Sequence, residues 1–210
     1  MRTRNVVRQS PHRVTGKFAS AKNGRAIQWE SRLERDAICL LETDPRAVRF
    51  REQPAVVKYR VNGELHEYYP DLRVERARSK DIIEVKPFDE AQRPENQERF
   101  AEIARVLEAD GFGFVVWTEK EIRPQPRLDN TKYLLKFRRA PYEDAQVARV
   151  CDLLKCHGDL RFSQTLELLG GAITKPALLA MVCHGLFAID HAEPIGPNTL
   201  ITVIQKGAES

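Results

Sequence analysis

Residues 81–86 read DIIEVK, and this stretch sets the expectations for both the fold and the chemistry. Its isoleucine and valine residues favour a β-strand, and a strand this apolar is typical of the interior of a sheet. Because side chains alternate between the two faces of a strand, Glu84 and Lys86 point to the same side. We therefore predict that a buried strand directs an acid and a cation into one place.

The elements around this strand predict an α/β domain. Apolar spacing of three and four residues predicts helices, and β-branched runs bounded by turn signals predict strands. In order, these elements are a helix at 29–43, strands at 47–61, 64–76 and 81–86, a helix at 94–110 and a strand at 112–118. The last strand, FGFVVWT, is nearly continuous in apolar residues, as in a central strand covered on both faces. The resulting αβββαβ order is that of a restriction-endonuclease-like core, which we assign to residues 26–140.

A change in composition near Pro141 predicts a second domain over residues 141–210. This part of the chain is rich in leucine and alanine, and it carries 5 basic and 8 acidic residues. Three short helices are predicted at 142–156, 162–169 and 176–187, followed by a strand at 199–204. We expect a winged-helix-like accessory domain, whose acidic balance favours contact with protein over contact with DNA.

Residues 1–25 carry seven basic residues and no acid, in a chain whose net charge is +4. Such a polar segment does not bury enough apolar surface to fold alone, so we predict a flexible arm. Cationic arms bind nucleic-acid phosphates through counterion release, although a solubilising leader has the same composition. The predicted contacts to double-stranded DNA are Arg2, Arg4, Arg8, Arg13, Lys17, Lys22 and Arg25.

The four cysteines of the 210-residue chain have spacings that fit neither a disulfide framework nor a zinc site. We expect no signal peptide and no membrane span, because no apolar run approaches 18 residues. These features argue against the secreted and membrane classes of protein. We expect a cytoplasmic, bacterial protein with no membrane partner.

The first predicted helix carries glutamates where a core is expected. On a helical projection, Glu30 and Glu34 fall within the apolar arc that contains Ala37, Ile38 and Leu41. A buried carboxylate needs a cation, a hydrogen-bond network or a metal ion. A structural salt bridge meets this need as well as a metal site does, and the projection does not separate the two glutamates.

A further acid follows a proline in the middle of a predicted strand. Pro70 removes a donor from the ladder, which indicates an edge or bulge that redirects Asp71. Asp71, Glu84 and Lys86 then supply what a magnesium-dependent phosphodiesterase needs, namely oxygen ligands for Mg²⁺ and a lysine to position or deprotonate water. The pattern also fits a surface ion pair, but the apolar strand and the αβββαβ order favour a nuclease. We expect Glu34 to complete the acid cluster and Mn²⁺ to substitute for Mg²⁺.

Five stretches of the chain resemble the TnsA family, the endonuclease subunit of heteromeric Tn-type transposases. They are residues 30–36 (ESRLERD), 50–54 (FREQP), 69–71 (YPD), 83–87 (IEVKP) and 117–122 (WTEKEI). Together these stretches are specific, although each alone is a weak signal.

The resemblance implies roles for individual residues. It favours Glu34 over Glu30 as the catalytic acid of the helix. The strand aspartate, the acid or glutamine two residues before the lysine, and the lysine of the family fall on Asp71, Glu84 and Lys86. A further family acid in the second helix falls near Glu102.

The resemblance also implies a biological role. Such a subunit nicks the 5′ ends of a mobile element, while a separate transposase subunit cuts and joins the 3′ ends under an ATPase regulator. Two alternatives stay open: a stand-alone restriction, defence or repair nuclease of the same fold, and a non-catalytic DNA-binding adaptor. The intact set of four candidate catalytic residues speaks against the adaptor.

Overall fold

The computed structural model describes residues 14–61 and 63–204, and the chain divides into two compact units. The first unit contains residues up to 42 and residues 46–124, and the second contains residues 43–45 and those from 125 onward. The boundary lies earlier than the predicted one at 140/141. The reason is that a helix at residues 127–135 packs against another helix of the second unit, at 175–183.

The first unit, within the described residues, is built from eight strands and four helices. In chain order they are β1 (Gly16–Ser20), β2 (Arg25–Trp29), α1 (Arg32–Thr43), β3 (Arg49–Glu52), β4 (Val57–Val61), β5 (Glu64–Tyr68), β6 (Leu72–Glu75), β7 (Lys80–Val85), α2 (Phe88–Ala91), α3 (Pro94–Ala109), β8 (Gly113–Trp117) and α4 (Glu119–Ile122). The central sheet has the order β3-β6-β7-β8, and β7 and β8 are its parallel pair. The predicted αβββαβ order is therefore present, with a β4–β5 hairpin inserted between β3 and β6.

Two prolines explain why the long predicted strands are split. Pro54 lies between β3 and β4, and Pro70 lies between β5 and β6. Because proline has no N–H to donate to a ladder, the chain leaves the central sheet at these points. Residues 57–68 then pair with each other as a separate hairpin.

The strand register assigns the side chains of the central sheet to two faces. Four apolar residues of one face are buried: Phe50, Leu72, Val74 and Ile83. On the other face, Ile82 is buried in a cluster with residues of β4, β5 and α3, namely Tyr59, Tyr68, Phe100, Ile103 and Leu107. Since side chains alternate along a strand, Glu84 and Arg51 belong to this second face.

The prediction of a flexible arm is wrong for residues 16–25, because β1 and β2 pair as an antiparallel hairpin. Phe18 lies opposite Ile27, which is fully buried. Gly24 has a φ of 61° in the turn, a conformation that favours glycine. The dipeptide Asn23-Gly24 is a strong hairpin signal that the basic composition obscured. Residues 1–13, the rest of the predicted arm, lie outside the described residues.

Helix α1 begins at Arg32, three residues later than predicted. Trp29 belongs to β2, and Ser31 Oγ accepts a hydrogen bond from the N–H of Glu34 at 3.1 Å. A serine in this position satisfies a backbone donor of the first turn and so fixes the start of the helix.

The second unit is mainly helical in its described part. Its elements are α5 (Arg127–Leu135), α6 (Asp144–His157), β9 (Leu160–Arg161), α7 (Phe162–Leu168), α8 (Lys175–Cys183), β10 (Phe187–Ile189) and β11 (Leu200–Val203). The strands form an antiparallel sheet in the order β10-β11-β9. Helices α6 and α7 and strand β11 lie close to their predicted positions, whereas α8 ends at Cys183, before the predicted end at 187. The winged-helix identity of the unit stays a prediction. Among the residues described, no helix has both the length and the apolar character that a membrane span requires.

Candidate active site

The register of the central sheet brings Asp71 beside Glu84. Leu72 lies opposite Ile83 in the antiparallel β6–β7 pair, so one further step along both strands places Asp71 opposite Glu84. Asp71 Oδ2 accepts a hydrogen bond from the backbone N–H of Val85 at 2.8 Å. The Asp71 side chain thus continues the ladder just where Pro70 interrupts it, which is the redirection that the proline predicts.

Glu84 is a buried carboxylate with both oxygens engaged. Its Oε1 lies 3.1 Å from Lys86 Nζ, and its Oε2 accepts a hydrogen bond from Tyr68 Oη at 2.6 Å. The glutamate side chain is 5% exposed, whereas the lysine side chain is 25% exposed. The acid and the cation therefore lie on one face of β7, as predicted, and the ammonium group extends toward solvent.

Tyr68 is a contact of the site that the sequence did not reveal. Burial, and then the charge of Glu84, raise the pKa of the Tyr68 hydroxyl far above its usual range. The phenol therefore remains protonated near neutral pH and donates to Glu84. Its only sequence signal is its place beside Tyr69-Pro70-Asp71, the stretch that precedes β6.

The carboxylate of Asp71 lies in an environment of excess negative charge. Burial raises the pKa of Asp71 well above its ordinary range, and the nearby charges of Glu84 and Glu34 raise it further. The N–H of Val85 and the charge of Lys86 act in the opposite direction but do not compensate. Three acids from α1, β7 and the start of β6 are therefore electrostatically coupled, and a bound cation would relieve this repulsion.

Glu30 and Glu34 both line a cleft that also contains Asp71. Glu34 Oε2 accepts a hydrogen bond from the backbone N–H of Glu30 at 2.8 Å, which holds its side chain at the N-terminal end of α1. Glu30 Oε1 accepts from Gln53 Nε2 at 2.9 Å. Of the two glutamates, Glu34 is the one whose charge acts on Asp71.

Gln53 links two walls of this cleft, and sequence reasoning missed its role. Its side chain donates to Glu30, and its backbone N–H donates to the carbonyl of Asp71 at 2.9 Å. Its φ of 40° is unusual for a residue with a side chain, and such strain concentrates at functional sites. The one available signal was the FREQP stretch, in which Gln53 precedes Pro54.

The donor chemistry of the site fits Mg²⁺. Mg²⁺ is typically bound by one or two carboxylates, with water and substrate phosphate completing the octahedron. In the structure, no described residue donates a hydrogen bond to Asp71 Oδ1, and Glu34 faces the same cleft. The described residues contain no group of three or more candidate ligands already gathered around one point. The site therefore fits an ion whose coordination is completed by water and substrate phosphate rather than by a protein-built cage.

Other predicted site residues lie elsewhere or make structural contacts. Glu102 on α3 forms an ion pair with Arg105 at 3.0 Å. Lys22 Nζ donates to the carbonyl of Leu41 at the end of α1, and Arg25 pairs with Glu52 at 2.7 Å. Lys17 lines the acid cleft. The remaining predicted DNA contacts, Arg2, Arg4, Arg8 and Arg13, fall outside the described residues.

Comparison with known protein families identifies the core of this unit. Residues 44–119 match the family model described as TnsA-like endonuclease N terminal. The matched range includes Asp71, Glu84 and Lys86, and Glu34 precedes it. No curated protein matches the chain. This match, over residues 44–119, supports a TnsA-like endonuclease family for the first unit.

Proposed function

We propose that this protein is a metal-dependent DNA endonuclease that hydrolyses a phosphodiester bond. One observation carries the proposal: Asp71, Glu84 and Lys86 meet at the ends of two neighbouring strands, where burial, and then the charges of Glu84 and Glu34, raise the pKa of Asp71. Structural ion pairs normally stabilise their carboxylates. An acid cluster that disfavours its own ionisation is typical of a site built to receive a cation.

Each side chain has a distinct role in this reaction. Asp71 and Glu34 are the carboxylates placed to hold Mg²⁺ or Mn²⁺, together with Glu84. The metal, when bound, activates water and stabilises negative charge on the phosphate. Lys86 lies 3.1 Å from Glu84 and positions the water that attacks phosphorus. The bond between phosphorus and the 3′ oxygen breaks, and the products are a 5′ phosphate and a 3′ hydroxyl.

The biological setting that we propose is cut-and-paste transposition. In this role the chain cleaves the 5′ ends of a mobile element in double-stranded DNA, in the bacterial cytoplasm. A separate transposase subunit and an ATPase regulator are the proposed partners. The family match to TnsA-like endonucleases supports this assignment.

The test is plasmid nicking by the purified chain with Mg²⁺ or Mn²⁺, alone and with a candidate transposase subunit. We expect metal-dependent nicking that Asp71→Ala and Lys86→Ala abolish. The matched controls are Glu75→Gln and Lys80→Ala, which change an acid and a lysine at the opposite ends of the same two strands. Nicking that persists in both site variants would contradict the proposal.

A further inference from the structure

We propose that a second cleft of the first unit binds the DNA backbone beside the cleavage site, through Lys17 and Arg51. This inference rests on the proposed endonuclease function and names the surface that holds its substrate. The second cleft lies between the β1–β2 hairpin and the edge strand β3. It shares Lys17, Gln28, Glu52 and Gln53 with the acid cleft, so the two clefts are contiguous.

The charges that line the second cleft do not cancel. Among its described lining residues are three cations and one acid, Glu52. Arg25 engages that acid with both guanidinium nitrogens, Nη1 to Oε1 at 2.9 Å and Nη2 to Oε2 at 2.7 Å. This pair is neutral as a unit, so Lys17 and Arg51 leave the cleft with two uncompensated positive charges.

Arg51 has hydrogen-bonding capacity that the described part of the protein does not use. Its Nε is buried and has no hydrogen-bond partner, and no described residue pairs with its guanidinium group. A buried donor without an acceptor is unfavourable, and an arriving phosphate oxygen would satisfy it. The planar guanidinium also matches the two oxygens of a phosphate.

The residue that lies opposite Arg51 in the β3–β6 pair is a second arginine and not an acid. Arg73 lies directly opposite on β6, and its own guanidinium is already engaged by Glu75 at 2.8 Å and by the ring of Phe112. Arg51 lies opposite Arg73, which is two residues from Asp71 on the same strand segment, so the register places Arg51 on the same face of the sheet as Asp71. A backbone bound at Arg51 is therefore held on the face where the acids converge.

Lys17 lies where the two clefts meet. It is exposed on β1, opposite Gln28, and no described residue forms an ion pair with it. A continuous polyanion that passes from Arg51 to the acids therefore crosses Lys17. The ligand is the flanking backbone of the DNA strand that is being cut, since a small anion would occupy only one of these positions.

The test is the affinity of the full-length chain for a fluorescently labelled 30-base-pair duplex, measured by anisotropy without divalent metal at several salt concentrations. For the double variant Lys17→Ala/Arg51→Ala, we expect affinity to fall by on the order of 10-fold or more, with the salt slope smaller by about 2. Lys80→Ala, at the far end of β7, removes an equivalent exposed charge and should change affinity less than twofold. Arg51→Lys should retain the slope while losing part of the affinity.

The two proposals fail in different ways. If the double variant binds DNA with unchanged affinity and slope while the wild type nicks in an Asp71-dependent manner, the backbone-binding cleft is wrong and the nuclease stands. If the double variant loses binding but nicking does not depend on Asp71, the cleft stands and the proposed catalytic site is wrong. Tryptophan fluorescence checks that each variant is folded, because Trp29 and Trp117 both belong to the first unit.

Discussion

The two units bury polar groups in different ways. The buried polar residues of the first unit include three carboxylates, Asp36, Glu42 and Glu84. Those of the second unit, within its described residues, are neutral: Asn130, Thr131 and Thr165. Burying a charge is more costly than burying an amide or hydroxyl, so the first unit needs a compensating partner for each carboxylate.

Glu42 and Asn130 illustrate this difference, because each side chain anchors a turn or loop through hydrogen bonds. Glu42 holds the β1–β2 turn, accepting from Ser20 Oγ at 2.6 Å and from the backbone N–H of Ala21 and Lys22. Asn130 holds a loop of the second unit, donating to the carbonyl of Glu193 and accepting from the N–H of Ile195. The same anchoring is thus done by an anion in one unit and by an amide in the other.

Asp71 differs from the other acids of the first unit. Burial opposes the ionisation of Glu52, but hydrogen bonds from Arg25 and from the backbone outweigh it and lower the pKa of Glu52. Hydrogen bonds to Thr118 likewise outweigh burial and lower the pKa of Glu121. The pKa of Asp71 is instead shifted upward, first by burial and then by the charges of Glu84 and Glu34. The first unit thus compensates Glu52 and Glu121 but not Asp71, which supports the metal-binding role proposed for Asp71.

The largest expected effect comes from Asp71→Asn. Nicking should fall on the order of 10³-fold, because a neutral amide does not hold the metal. Stability should rise at pH 7. The pKa of Asp71 is higher in the folded chain than in the unfolded chain. The wild-type protein therefore loses stability as pH rises from the unfolded value to the folded value. Asparagine does not titrate, so the variant has no such loss.

Urea unfolding curves followed by tryptophan fluorescence check this prediction. The stability difference between the variant and the wild type should shrink as pH falls toward the ordinary aspartate range. A variant that is less stable than wild type at pH 7 would show that the Asp71 charge supports the fold.

Glu42→Ala should destabilise the first unit by about 2–4 kcal/mol, because it leaves three donors without their acceptor. Glu42→Gln keeps an oxygen for the backbone donors and should cost less than half as much. The measurement is the midpoint of tryptophan-detected urea unfolding. Equal losses in the two variants would indicate that packing, and not hydrogen bonding, anchors the turn.

Asn130→Ala should destabilise the second unit by about 1–3 kcal/mol through the loss of its contacts to the 191–195 loop. Circular dichroism at 222 nm reports the helices of both units, whereas Trp29 and Trp117 report the first unit, so a loss seen by circular dichroism alone belongs to the second. The tryptophan curve should not move. Asn130→Asp replaces a donor by an acceptor that faces a carbonyl, and it should not restore the stability.

The smallest expected effect is a difference in the pH at which each unit loses stability. Burial, and then the charge of Arg127, lower the pKa of His191 in the second unit. Its folded pKa lies below the unfolded one, so its contribution is complete above about pH 6.5 and is lost as pH falls through the folded value. In the first unit, the lowered pKa of Glu52 places its loss of stability in the carboxylate range as pH falls.

Circular dichroism and tryptophan fluorescence, recorded during the same acid titration, separate the two events. His191→Gln should remove the early loss and leave the later one in place. If the early loss of stability persists in His191→Gln, another titratable group causes it.

The central sheet could be predicted from sequence, whereas the connections between the site residues could not. The segment DIIEVK and the proline before Asp71 are local signals, and both lie where their chemistry predicts. The hairpin of residues 16–29 carried a local signal, Asn23-Gly24, which charge composition masked. Gln53 and Tyr68 carried only their places in the FREQP stretch and beside Tyr69-Pro70-Asp71. These signals did not reveal the contacts to Glu30 and Glu84, which join residues far apart in sequence.

The left-handed backbone of Gln53 has a consequence for selection. Glycine adopts a φ of 40° without strain, so Gln53→Gly would stabilise the loop while removing the hydrogen bond to Glu30. A screen for heat-resistant variants would therefore enrich a change that loosens the cleft, whereas selection for DNA cleavage would remove it. At this position, thermal stability and DNA cleavage therefore favour different residues.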